Sequence, residues 1–222
     1  MQPPLHLGFD NYSLRSLGWK SSQLIEHAAT LKLDTVLFSD FNVYESLADD
    51  ALRDLKRRAD DLGITLYAGM LSICPASVIF DPRRGTAEEQ LRLCLRIAKA
   101  LGSPVARCVL GKVDDRRSPG GIAARIAETV AVLRHVRSEA LDAGIKIAVE
   151  NHAGDMNSSE LLELIDAAGR DFVGATLDTG SALWALEEPL AALETLGTVT
   201  VCTGIRDSYL WETPEGATLQ WT

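Results

Sequence analysis

The chain has 222 residues, of which 46% are hydrophobic and 24% charged, an ordinary globular composition for one large domain or a small pair. Its formal net charge is -9 and its pI is near 4.9, a field that repels nucleic acid but not a cationic metal. No apolar run reaches the ~20 residues a membrane span needs, and the opening "MQPPLHLGFD" lacks the basic-then-apolar pattern of a signal peptide, so no membrane contact and a cytoplasmic location are expected.

In chain order, short apolar runs alternate with longer helical patterns. The strand candidates are 5–10, 34–39, 64–70, 104–110, 145–150, 173–178 and 198–203. They are continuously apolar, as parallel strands buried on both faces should be. Helices are expected near 21–32, 46–61, 86–101, 120–142, 158–168 and 187–196. In the fourth of these, Ile122, Ile126, Val130, Leu133, Val136 and Leu141 form one apolar face. Gly63, Gly102, Gly144, Gly169 and Gly197 stand where a left-handed residue closes a helix, and Asn157 or Ser158 is placed to cap the fifth helix. Cys74, Cys94, Cys108 and Cys202 lie in apolar stretches without a CxxC pair, which points to reduced core thiols.

Seven strands alternating with six helices imply a parallel α/β fold. No GxGxxG follows the first strand and no GxxxxGK[ST] occurs anywhere, against a doubly wound nucleotide-binding sheet. Polar residues gather instead at several strand ends, as in a TIM-type (β/α)8 barrel. One domain over 1–222 is expected. With about seven βα units, the barrel is incomplete at the C-terminal side, and the open eighth position leaves an edge on which a homodimer could form.

The fifth strand runs into "VENHAGD" and the sixth into "LDTGSAL". Glu150 and Asp178 are 28 positions apart, about one βα unit, so they are expected on neighbouring strand ends. Two carboxylates that close repel unless a cation or a shared proton intervenes. A hard divalent ion, Mn2+ or Mg2+, answers that need with oxygen ligands. The competing reading of Asp178 is a cap for the helix that follows.

These two motifs resemble the sugar isomerase/epimerase family with a xylose isomerase-like barrel. The resemblance implies a (β/α)8 barrel that binds one divalent metal through acids ending strands five and six, a His ending strand seven and a Glu ending strand eight. Glu150 and Asp178 match the first two ligands, and His152 matches a position used for substrate, with Asn151 beside it. Gly204 stands where the family has His, ahead of Arg206 and Asp207 in "GIRDS". Gln220, in "TLQWT", could supply an oxygen in place of the strand-eight ligand.

Arg107, inside strand four, is expected near the carboxylates as a substrate contact, and Arg206 is suited to grip a carboxylate or phosphate. Asp10, Asn11, Asp40 and Glu45 follow the first two strands and are further mouth candidates. His6, His27 and His135 read as structural or solvated, and Trp184, Trp211 and Trp221 as packing or a sugar wall. The implied activity is sugar or sugar-phosphate isomerisation or epimerisation through a metal-stabilised enediolate, with Glu150 moving the proton. Metal-dependent decarboxylation of a 3-oxo sugar acid is the alternative, since it needs less of a base and more of an arginine. A non-catalytic sugar-binding barrel is the third reading. Repair endonuclease chemistry fits poorly with four histidines and an acidic surface.

Overall fold

The computed structural model describes residues 5–221, apart from the side chains of 217 and 219–221. All seven expected strands form: β1 (Gly8–Asp10), β2 (Thr35–Phe38), β3 (Thr65–Ser72), β4 (Val105–Val109), β5 (Lys146–Glu150), β6 (Val173–Asp178) and β7 (Thr200–Gly204). They pair in sequence order, every neighbour parallel, in one curled sheet that makes up an incomplete TIM-type barrel. β4 and β6 are buried along their whole length, which is why they read as unbroken apolar runs. β7, at the flank of the sheet, alternates half-buried and exposed residues.

The helices are α1 (Ser21–Thr30), α2 (Asp49–Asp61), α3 (Ala87–Leu101), α4 (Gly121–His135), α5 (Arg137–Ala143), α6 (Ser158–Ala168), α7 (Thr179–Trp184) and α8 (Pro189–Leu196). Thr86 and Glu89 form a capping box on α3, and Asn157 and Glu160 do the same on α6. Each such cap contributes about 1 kcal/mol by satisfying orphan N–H groups. Gly102 and Gly144 end α3 and α5 in the left-handed conformation, at φ 67° and 65°. Gly197 does not: its φ is -50° and the chain runs on into a 3-10 turn.

The long fourth helix is two. The break falls at Val136, whose φ/ψ of -107°/12° leaves the helical region, and the new helix turns its own face to the core. Leu133 and Val136 stay fully buried whereas Leu141 is 41% exposed. A hairpin, β8 (Ser208–Thr213) with β9 (Gly216–Trp221), and the short α7 were not expected from the sequence. No helix among the described residues is long and apolar enough to cross a membrane.

Candidate functional site

Glu150 is the last residue of β5 and sits in register with Thr176 of β6, while Asp178 ends β6 in register with Gly204 of β7. Glu150 feels the charges of Arg107 on β4, Asp10 on β1 and Arg206 beyond β7. Groups from opposite flanks of the sheet meet only on its concave side, so these side chains share the interior at the strands' C-terminal ends.

Arg107 lies two residues below the register partner of Glu150 and reaches up to it. Its Nε donates to Glu150 Oε2 at 2.6 Å, and its Nη2 lies 2.5 Å from the same oxygen. Nη1 donates to the Met70 carbonyl at 3.3 Å. Both side chains of the pair are 5% exposed. Glu150 Oε1 is buried and has no hydrogen-bond partner among the described residues. Burial pushes the Glu150 carboxyl up from its ordinary range against the pull of Arg107.

Asp178 does two things. Oδ1 accepts from the Ser181 N–H at 2.9 Å and so caps α7, and Oδ2 faces Arg206 Nη2 at 2.8 Å. Burial raises its carboxyl, the negative charge of Glu150 raises it further, and Arg206 opposes both. The Arg206 side chain is 25% exposed, against 5% for Arg107. The two arginines therefore occupy different places: one enclosed below the carboxylates, one at the rim.

Asn151 is 1% exposed and pairs with the backbone of Asp178 on the next strand. His152 Nδ1 bonds the Gly111 carbonyl at 2.7 Å, which requires the proton on Nδ1 and leaves Nε2 an acceptor. Burial, and then the Arg107 charge, lower its pKa to about 4, so the ring is neutral at pH 7. Asn151 and Arg107, expected at the substrate, are thus turned to internal partners. Of the four expected substrate contacts, His152 and Arg206 are the two that are not fully buried, Arg206 being paired with Asp178.

Asp155 was not singled out from sequence. It is fully buried, and its carboxylate accepts N–H groups from Gly111, His152 and Met156. The signal was present in "HAGD": Ala153 and Gly154 both take positive φ, forming the tight turn that returns the aspartate onto the strand end. Burial nonetheless lifts its carboxyl to about 7, against the pull of those three N–H groups.

The other mouth candidates all have internal partners, and Asp10 in addition acts by its charge on Glu150. Asp10 Oδ1 accepts from Tyr12 N–H and the Ser39 hydroxyl, while Asn11 bonds Ser39 and Asp40. Asp40 also caps the turn at 41–43. Glu45 accepts from the Ser22 N–H and the Ser21 hydroxyl at the start of α1. His27 packs between Phe9 and Trp19, and His6 and His135 are exposed. Trp184 ends α7 with its backbone against Gly154, and Trp211 stacks on Tyr209 in the hairpin. The side chains of Gln220 and Trp221 lie outside the described residues.

The donors fit a divalent ion in part. The bare, buried Oε1 of Glu150 is a donor of the kind a hard ion takes, and Asp178 one strand over adds a carboxylate whose two oxygens already meet the Ser181 N–H and Arg206. Among the described residues no third His, Cys, Asp or Glu joins them, and Gly204 offers no side chain.

A family model described as xylose isomerase-like TIM barrel matches residues 25–207. The chain is 26% identical over 184 residues to 3-oxo-isoapionate decarboxylase of Pectobacterium atrosepticum, covering 83% of this chain but 59% of that protein. It thus spans less than two thirds of that relative's length. Among solved structures it superposes on D-psicose 3-epimerase from Clostridium cellulolyticum H10 with D-tagatose (TM-score 0.69, 17% identity, 91% of this chain, 73% of that one). It also superposes on IOLI protein with a bound zinc atom (TM-score 0.73, 18% identity, 96% and 78%). These structural likenesses establish the fold. With the parallel half-barrel, the acids at the ends of β5 and β6 and a family match over most of its length, the chain belongs to the xylose isomerase-like TIM barrel family.

Proposed function

We propose that the protein isomerises or epimerises a sugar or sugar phosphate through an enediolate, with Glu150 as the group that moves the proton. One observation carries this reading: Glu150 is held by one oxygen and bare at the other, inside the barrel at the catalytic end of the strands. A carboxylate so fixed meets a reacting atom in one geometry. Glu150 and Asp178 would hold a divalent ion, Mn2+ or Mg2+ by donor chemistry. Such an ion, when bound, polarises a carbonyl oxygen and acidifies the adjacent C–H. The neutral His152 ring would accept a hydrogen bond from a substrate hydroxyl at Nε2, and the guanidinium of Arg206, partly exposed at the rim beside Asp178, would face an acidic substituent.

A second reading, decarboxylation of a 3-oxo sugar acid, is favoured by the similarity to the Pectobacterium decarboxylase together with Arg206 and Gly204. Loss of CO2 leaves the same kind of enolate without asking for a base, and Arg206 would seat the departing carboxylate. The test is incubation of the metal-supplemented protein with a panel of ketohexoses, their phosphates and 3-oxo sugar acids in D2O. NMR follows interconversion and C–H exchange, and a coupled assay follows CO2. Exchange with interconversion supports the first reading and CO2 release the second. Neither signal across the panel rejects both.

A further inference from the structure

We propose that Arg107 is a positioning residue that sets which oxygen of Glu150 reacts. This rests on the reading of Glu150 as the reacting carboxylate.

An arginine facing a carboxylate usually lays two N–H groups on two oxygens. Here Nε and Nη2 converge on Oε2 alone, at 2.6 Å and 2.5 Å. Oε1 is left with no partner among the described residues although it is buried. The third nitrogen, Nη1, is tied to the Met70 carbonyl on β3, so the guanidinium is fixed across two strands rather than hinged on its stem. Gly69 stands in register with Arg107, and a Cβ there would come within 3.3 Å of Arg107 Cβ. The strand beside the arginine is thus bare where its stem passes.

Enclosure separates this role from substrate contact. At 4% exposure Arg107 lies beneath the carboxylate it holds, whereas Arg206 meets solvent at the rim. Oε1 is the free atom because Oε2 is taken, and its direction follows from the guanidinium plane. Lysine would keep the charge at 107 but bring a single nitrogen on a flexible stem, without the planar fork that spans Glu150 and the Met70 carbonyl at once.

The test is Arg107→Lys. Circular dichroism checks the fold, calorimetry titrates Mn2+, and kcat and KM are measured on whichever substrate the panel identifies. Mn2+ affinity is expected to fall about tenfold, and kcat about tenfold with KM within about twofold, because the geometry of Oε1 is lost while substrate contacts stay. A folded R107K with wild-type Mn2+ affinity and kcat overturns the proposal and leaves the previous reading standing. Wild-type protein that neither takes up Mn2+ nor turns over any substrate overturns both. Should R107K not fold, wild-type protein carrying 15N-arginine decides: the Arg107 Nε–H resonance is expected to be protected from exchange, to shift on Zn2+ addition and to stay put on later addition of substrate. An Arg107 signal that exchanges freely, ignores Zn2+ or moves with substrate overturns it.

Discussion

The Asn151 amide behaves as an extra rung between β5 and β6: Nδ2 donates to the Asp178 carbonyl at 2.9 Å and Oδ1 accepts the Asp178 N–H at 2.8 Å. The two candidate acids are thereby placed relative to each other by backbone, not by a flexible loop. Asn151→Ala strips both partners from a buried peptide group. A loss of about 2–4 kcal/mol is expected from the unsatisfied donor and acceptor, read as a lower urea midpoint with unchanged slope.

The Arg107–Glu150 pair is enclosed, so removing one member leaves a charge without compensation. Arg107→Met is expected to destabilise by about 3–5 kcal/mol, and the double variant R107M/E150M to regain most of that, since both desolvation penalties disappear together. A thermal-denaturation double-mutant cycle measures the coupling. A double variant no more stable than R107M would contradict the account.

Asp155 supplies a pH signature. Its folded carboxyl, at about 7, lies above the unfolded range near 4, so burial stabilises the protonated form. Its contribution is fully present below the unfolded value and is lost as pH rises through about 7, by something on the order of 4 kcal/mol at most. Asp155→Asn cannot accept N–H groups at both of its side-chain heteroatoms and is less stable at low pH. Its stability should also fall less between pH 4 and pH 7 than that of the wild type, in paired urea titrations.

Gly204 has room for a side chain: a Cβ there meets nothing nearer than Asp178 Cβ and Oδ2 at 3.9 Å. Gly204→His is expected to fold and to raise Mn2+ affinity by about tenfold or more, since an imidazole joins two carboxylates. Calorimetric titration of the two proteins side by side gives the answer, and equal affinities would mean that position 204 does not face the ion.

Much of this arrangement was legible because the central strands, β4 to β6, are buried on both faces almost throughout and keep a continuous apolar signature, ending where polar residues begin. Glu150 and Asp178 stood out for that reason. The partners of Asn151 and Arg107 did not, because a linear sequence shows which groups are polar and not whether a neighbouring strand consumes them. The break at Val136 was hidden too: the apolar spacing runs through it without glycine or proline, and tertiary packing decides it. The β8–β9 hairpin carried a weak signal, the Pro214–Glu215 loop with Gly216 at φ 130° flanked by alternating residues. The capping reading of Asp178 holds for one oxygen, which takes the Ser181 N–H, while the other meets Arg206, a partner the linear sequence does not reveal.

The segments following β4 and β5 are stitched together: His152 to the Gly111 carbonyl, Gly111 N–H to Asp155, Val113 N–H to Ala153, and Arg116 to both the Asp155 carbonyl and Glu160. Two loops so tied open only as a unit, and their amide protons should be among the slowest at the rim to exchange with deuterium. On this side the barrel's mouth is a fixed wall, preformed before any ligand arrives.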